Sequence, residues 1–151
     1  MQNLGDLFPD NLRVQLINDN FKVGAVLRRF EYLTIPPKIK RSIIVGFDSS
    51  KVILAYVFIN TEINPNLFPT QVLRDLHLEL DPRDRDYLSH TSHVDCSQIF
   101  EVDAESIKNM MMNDTELHLG ELSVVDLSNV LEKIKNAKTI SKNIKKKFGL
   151  L

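Results

Sequence analysis

Arg41 opens a run of β-branched and apolar residues, Ser42 to Phe47, and an Asn60-Thr61 pair closes the next such run, Val52 to Ile59. Asp48-Ser49-Ser50-Lys51 lies between them and has the composition of a tight turn, so the natural reading is a hairpin. A hairpin brings the entry of its first strand beside the exit of its second, which sets Arg41 near Asn60 and Thr61 at one rim. RNA cleavage without a metal needs a group that activates the 2′-hydroxyl and a cation that stabilises the crowded phosphorane. Arg41 can supply the cation, while Asn60 and Thr61 can hydrogen-bond phosphate or orient the reacting group. The structural alternative is that Arg41 pairs with Asp48 or a C-terminal carboxylate, and that Asn60-Thr61 simply ends a strand.

More basic residues gather nearby. Arg28, Arg29, Lys38 and Lys40 join Arg41 around the Pro36-Pro37 loop, a grouping that can hold phosphates. A second basic stretch, Lys133 to Lys147, holds lysines and no acids, and reads as a solvated helix face. Other chemistry is thin. No glycine-rich nucleotide motif, HExxH, GxSxG or CxxC pattern occurs. His90-x-x-His93 with Asp95 is the nearest approach to a metal set, but its spacing is not diagnostic, so no metal and no cofactor are expected. Cys96 reads as core filler. His77 alternates within an apolar strand and is expected to face solvent.

These residues belong to a chain of 151 residues, 43% hydrophobic and 26% charged, which fits one domain with a proper core. The net charge of −1 gives no global attraction to nucleic acid or lipid. The single cysteine rules out an internal disulfide and fits a reducing compartment. No signal-peptide pattern is present, and the longest apolar stretch is too short to span a bilayer. The expectation is a cytoplasmic protein with no membrane partner.

The elements that must position the rim follow from periodicity. Residues 1–20 read as an arm containing a short helix or irregular segment around Leu12 to Ile17. Phe21 to Tyr32, Ser42 to Phe47, Val52 to Ile59 and Leu76 to Leu80 read as strands, with one or two more between Ser92 and Val102. Thr34 to Lys40 and Asn64 to Thr70 read as loops. Ala104 to Met112 reads as a helix. Ser123-x-x-Asp126 then gives a helix start, followed by Leu127, Val130, Leu131, Ile134 and Ala137 at helical spacing. Ile140, Ile144 and Phe148 suggest a last short amphipathic helix. Strands first and helices last predict a mainly β protein with C-terminal helices, an α+β chain built on a small barrel.

Four segments together resemble the MazF/PemK/Kid-type toxins of toxin–antitoxin systems. Val23-Gly24-Ala25-Val26 looks like the family's opening strand, Lys40-Arg41-Ser42-Ile43-Ile44-Val45 like its arginine strand, and Val52 to Ile63 like the strand that ends in threonine. Val94 to Asp103 resembles its later acidic strand, which leads through a helix and Gly120-Glu121-Leu122-Ser123 into the last helix. The resemblance implies a small SH3-like, CcdB/MazF-like β-barrel over residues 21–137, flanked by the arm at 1–20 and a basic tail or helix at 138–151. It further implies a homodimeric toxin that cuts single-stranded RNA without metal and is neutralised by an antitoxin protein. Arg41 falls on the family's catalytic arginine and Asn60 on its threonine, with Thr61 next; Arg28, Arg29, Lys38 and Lys40 are the corresponding RNA-binding candidates. The chain departs from the pattern at Ala25, Ser42 and Asn60. The same barrel could instead serve as a non-catalytic RNA- or peptide-binding module.

Overall fold

A computed structural model describes residues 10–151 of the chain. The expected N-terminal arm therefore lies partly outside the described residues, and its remainder is helix α1, Asp10–Asn20. The strands are β1 (Ala25–Glu31), β2 (Lys38–Phe47), β3 (Ile53–Asn60), β4 (His77–Leu80), β5 (Ser92–Asp95), β6 (Phe100–Asp103) and β7 (His118–Glu121). The remaining helices are α2 (Gln71–Arg74), α3 (Ala104–Asn113), α4 (Val124–Asn136) and α5 (Lys142–Lys147). All strand pairings are antiparallel, in the order β4-β5-β3-β2-β1-β7, with β6 also pairing along β3. The protein is thus mainly antiparallel β with helices, an α+β architecture.

β1, β2 and β3 form the centre, and both of their faces are covered except toward the β1–β2 loop, where Arg28, Phe30, Lys38 and Ile39 are exposed. Val26, Ile43, Val45, Val57 and Ile59 join one core with Val130 and Ile134 of α4 and Phe148 beyond α5. Leu27, Ile44, Leu54, Tyr56 and Phe58 join the other with Ile17 of α1 and Ile107 and Met111 of α3. We call these the α4 face and the α3 face. Because side chains alternate along a strand, every residue of β1–β3 belongs to one of the two.

The β2–β3 turn forms as its composition demands. Asp48 Oδ1 accepts the Val52 and Ile53 backbone N–H groups at 2.9 and 3.1 Å, and Lys51 takes the left-handed conformation at φ 59°. Asp48 is therefore committed to the turn, and its carboxyl is held below the usual range chiefly by the Ile53 hydrogen bond. Farther along, the pairing skips Val45, with Ile44 opposite Tyr56 and Gly46 opposite Ala55. This bulge turns both Val45 and Gly46 toward the α4 face, where Gly46 meets the Phe148 backbone.

Several element boundaries differ from expectation. β1 starts at Ala25 rather than Phe21, because Gly24 sits at φ +95° and turns the chain into the strand. β2 starts at Lys38, so Lys38 and Lys40 belong to a strand and not to the loop. The lysine-rich end is not wholly a solvated face: Lys145 is buried, and its ammonium donates to the Lys135 and Ala137 carbonyls at 2.9 and 2.7 Å. It thereby satisfies carbonyls that the end of α4 leaves without helical partners.

Candidate nucleic-acid interface

β1 and β2 pair Arg28 with Arg41, Arg29 with Lys40, Phe30 with Ile39 and Glu31 with Lys38. The five basic candidates therefore separate by face. Arg29, Lys38 and Lys40 lie on the α3 side, and Arg28 and Arg41 on the α4 side.

On the α3 side Arg29 and Lys40 are engaged. Glu31 is buried; it sits 3.2 Å from the Arg29 guanidinium and accepts the Tyr56 hydroxyl at 3.1 Å and the Leu33 N–H at 3.0 Å. Arg29 also lies 4.8 Å from the centre of the Tyr56 ring. Burial raises the Tyr56 hydroxyl above its ordinary range, so it stays a hydrogen-bond donor. Lys40 donates to Asn60 Oδ1 and sits 4.6 Å over the Phe58 ring. Burial first, and Lys38 second, lower its pKa, against the pull of Asp95 and Glu31. Asn60 is thus the partner of Lys40, and its side chain lies on the face opposite Arg41.

Arg41 has other surroundings. Its direct partner on β3 is Ile59, and Thr61 follows two residues later, exposed beyond the end of the strand. The Arg41 Nε is buried and has no hydrogen-bond partner among the described residues. It does not pair with Asp48, which lies at the opposite end of β2, about 20 Å away at ordinary strand rise. Arg28, directly opposite, is exposed. Two like charges face to face across a ladder oppose the pairing unless an anion lies between or beside them. Phe30 and Tyr32 continue this side of the hairpin, with ring centroids 4.8 Å apart in an edge-on arrangement, and both are exposed. The rim expected from the sequence is therefore two sites: Lys40–Asn60 on one face, and Arg28–Arg41 with two rings on the other.

The histidine candidates do not assemble. No group of three or more metal-binding side chains occurs among the described residues. His77 is buried rather than solvent-facing, packed edge-on against Phe68, with Nε2 3.6 Å from Asp95 Oδ1. The Phe68 ring that covers it comes from the Asn64–Thr70 segment, which the alternation of one short strand cannot report. Asp95 instead accepts the Ser97 N–H and hydroxyl. Cys96 is core, and burial pushes its thiol up to about 12, so it is protonated and unreactive.

Sequence reasoning missed Phe30, Tyr32 and the Glu31–Tyr56 pair. An acid inside an otherwise basic stretch was the available signal for Glu31, and two aromatics two apart were the signal for the rings. No protein-family model matches the chain, and no curated protein matches it.

Proposed function

We propose that the protein binds single-stranded RNA along the α4 side of the β1–β2 hairpin. The observation that carries this reading is the Arg28–Arg41 pair, two cations directly opposite on the ladder with no ion-pair partner for either among the described residues. A phosphate there relieves the charge repulsion between the two guanidinium groups. Phe30 and Tyr32 supply ring faces on which neighbouring bases stack, a mode that tolerates any sequence. In fluorescence anisotropy with a labelled single-stranded RNA, Arg41→Ala or Arg28→Ala is expected to weaken binding about tenfold and to flatten the salt dependence by roughly one phosphate's share. Affinity that stays the same from low to moderate salt would sink the proposal.

A second reading has one observation of its own. Arg41 pairs with Ile59, which turns Asn60 to the other face and leaves Thr61, just past the strand, as the next hydroxyl in the chain. On this reading Thr61 takes the threonine's role, and the chain is a cytoplasmic, homodimeric endoribonuclease toxin on an SH3-like barrel, held in check by an antitoxin. Its expression is then expected to arrest growth. RNA cleavage is expected to continue in EDTA, to vanish with Arg41→Ala or Thr61→Ala, and to persist with Asn60→Ala. Intact RNA together with harmless expression refutes it.

A further inference from the structure

The RNA reading uses the guanidinium groups and rings of the β1–β2 hairpin and leaves its aliphatic tip without a role. Ile35 is 99% exposed, Leu33 62% and Ile39 55%. The polar groups of this loop turn inward instead. Glu31 takes the Leu33 N–H, and the Thr34 hydroxyl lies within hydrogen-bonding distance of the Glu31 and Pro36 carbonyls, at 3.2 and 3.0 Å. The loop backbone is thus tied to itself while its apolar side chains point into solvent, the inverse of an ordinary surface turn. Large apolar side chains exposed together on one short loop mark a candidate interaction surface.

Its charge collar selects the partner. Residues 28–41 hold five basic side chains and one acid, Glu31, which is buried and already bonded. Lys38 is exposed beside the tip and Arg28 about 10 Å back along β1 at ordinary strand rise, and neither forms an ion pair among the described residues. A second copy docking tip to tip would set one cationic collar against another. Leu33 and Ile35 have no ring to stack on a base and no donor for a phosphate.

We propose that the β1–β2 tip inserts into an anionic lipid surface, with Leu33 and Ile35 entering the acyl boundary and Arg28 and Lys38 holding the headgroups. Aliphatic insertion combined with basic contacts is the usual two-part attachment of a peripheral protein. No spanning segment is required, and no helix among the described residues is long and apolar enough to cross a membrane. The expectation of no membrane partner rested on spans and net charge, and neither reports a local tip.

Vesicle flotation tests this with the full chain. The probes are vesicles of equal parts phosphatidylglycerol and phosphatidylcholine, and vesicles of phosphatidylcholine alone. The protein is expected to float with the anionic vesicles and not with the neutral ones. The double variant Leu33→Ser, Ile35→Ser is expected to bind at least about tenfold less while keeping its melting temperature and its affinity for single-stranded RNA. Lys38→Glu is expected to weaken flotation as well. The proposal is overturned if the unmodified protein stays with the unbound fraction. Equal flotation of the double variant also overturns it, since charge alone then suffices. So does a parallel loss of RNA affinity in the folded double variant, which would make the tip part of the RNA surface.

Discussion

Gly46→Ala is expected to destabilise the protein by about 2–3 kcal/mol, although it adds a single methyl group. A Cβ at Gly46 would lie 2.7 Å from the Phe148 carbonyl oxygen and 3.0 Å from the Phe148 Cβ. Neither atom belongs to the movable end of a side chain. To make room, the turn after α5 must shift, and Phe148 and Leu150, both buried in the α4-face core, must shift with it. Urea unfolding followed by circular dichroism reads the loss as a lower midpoint at unchanged slope. An unaltered midpoint would mean that the C-terminal segment does not pack on the bulge.

Asp126→Ala is expected to cost about 3 kcal/mol at neutral pH. The Arg85 guanidinium donates to both oxygens of this carboxylate, at 2.8 and 3.0 Å, and the Asp126 side chain is nearly buried. Removing the acid leaves the Arg85 charge partly buried, with the neutral Asp81 carbonyl, at 2.9 Å, in place of a bidentate carboxylate. The same bridge makes stability depend on pH. The Arg85 hydrogen bond, more than any other influence, holds the Asp126 carboxyl below its ordinary value. The folded state therefore binds fewer protons than the unfolded chain, whose aspartates titrate near about 3.9. The contribution is present in full above about pH 5, and is lost as pH falls through the unfolded value toward the depressed folded one. The stability gap between the unmodified protein and Asp126→Asn is expected to be wide at pH 7 and to narrow in acid. A gap that keeps its size across that range would show that the bridge is not its source.

The sequence made the central hairpin legible because its signals are local. Asp48-Ser49-Ser50-Lys51 turns, and the β-branched runs beside it extend. Ser123 was legible as a helix cap for the same reason, and its hydroxyl accepts the Asp126 N–H at 3.1 Å. β7 was not legible, because a four-residue strand containing Gly120 carries no periodicity and exists only by pairing with β1. His77 and Lys145 face inward because neighbouring segments fold back over them, Phe68 onto His77 and the end of α4 onto Lys145, which strand or helix periodicity alone does not report. The rim itself was half legible. Arg41 and Asn60 were identified as the polar ends of two strands, but which face each takes depends on pairing, and one residue of offset decides it.

That offset gives the Lys40–Asn60 link a role in specifying the fold. In most sheets a strand slipped by one residue exposes its apolar side chains, and the cost forbids the slip. β3 carries apolar side chains on both faces from Ile53 to Ile59, and both faces are covered, so hydrophobicity barely distinguishes the correct alignment from its neighbours. The alignment must be fixed at the ends. Asp48 fixes it at the turn, and Lys40 reaching Asn60 fixes it at the rim, where a slip would send the amide to the wrong side of the sheet. Asn60, first singled out for its chemistry, then acts as a marker that lets a uniformly greasy strand find one partner frame among several.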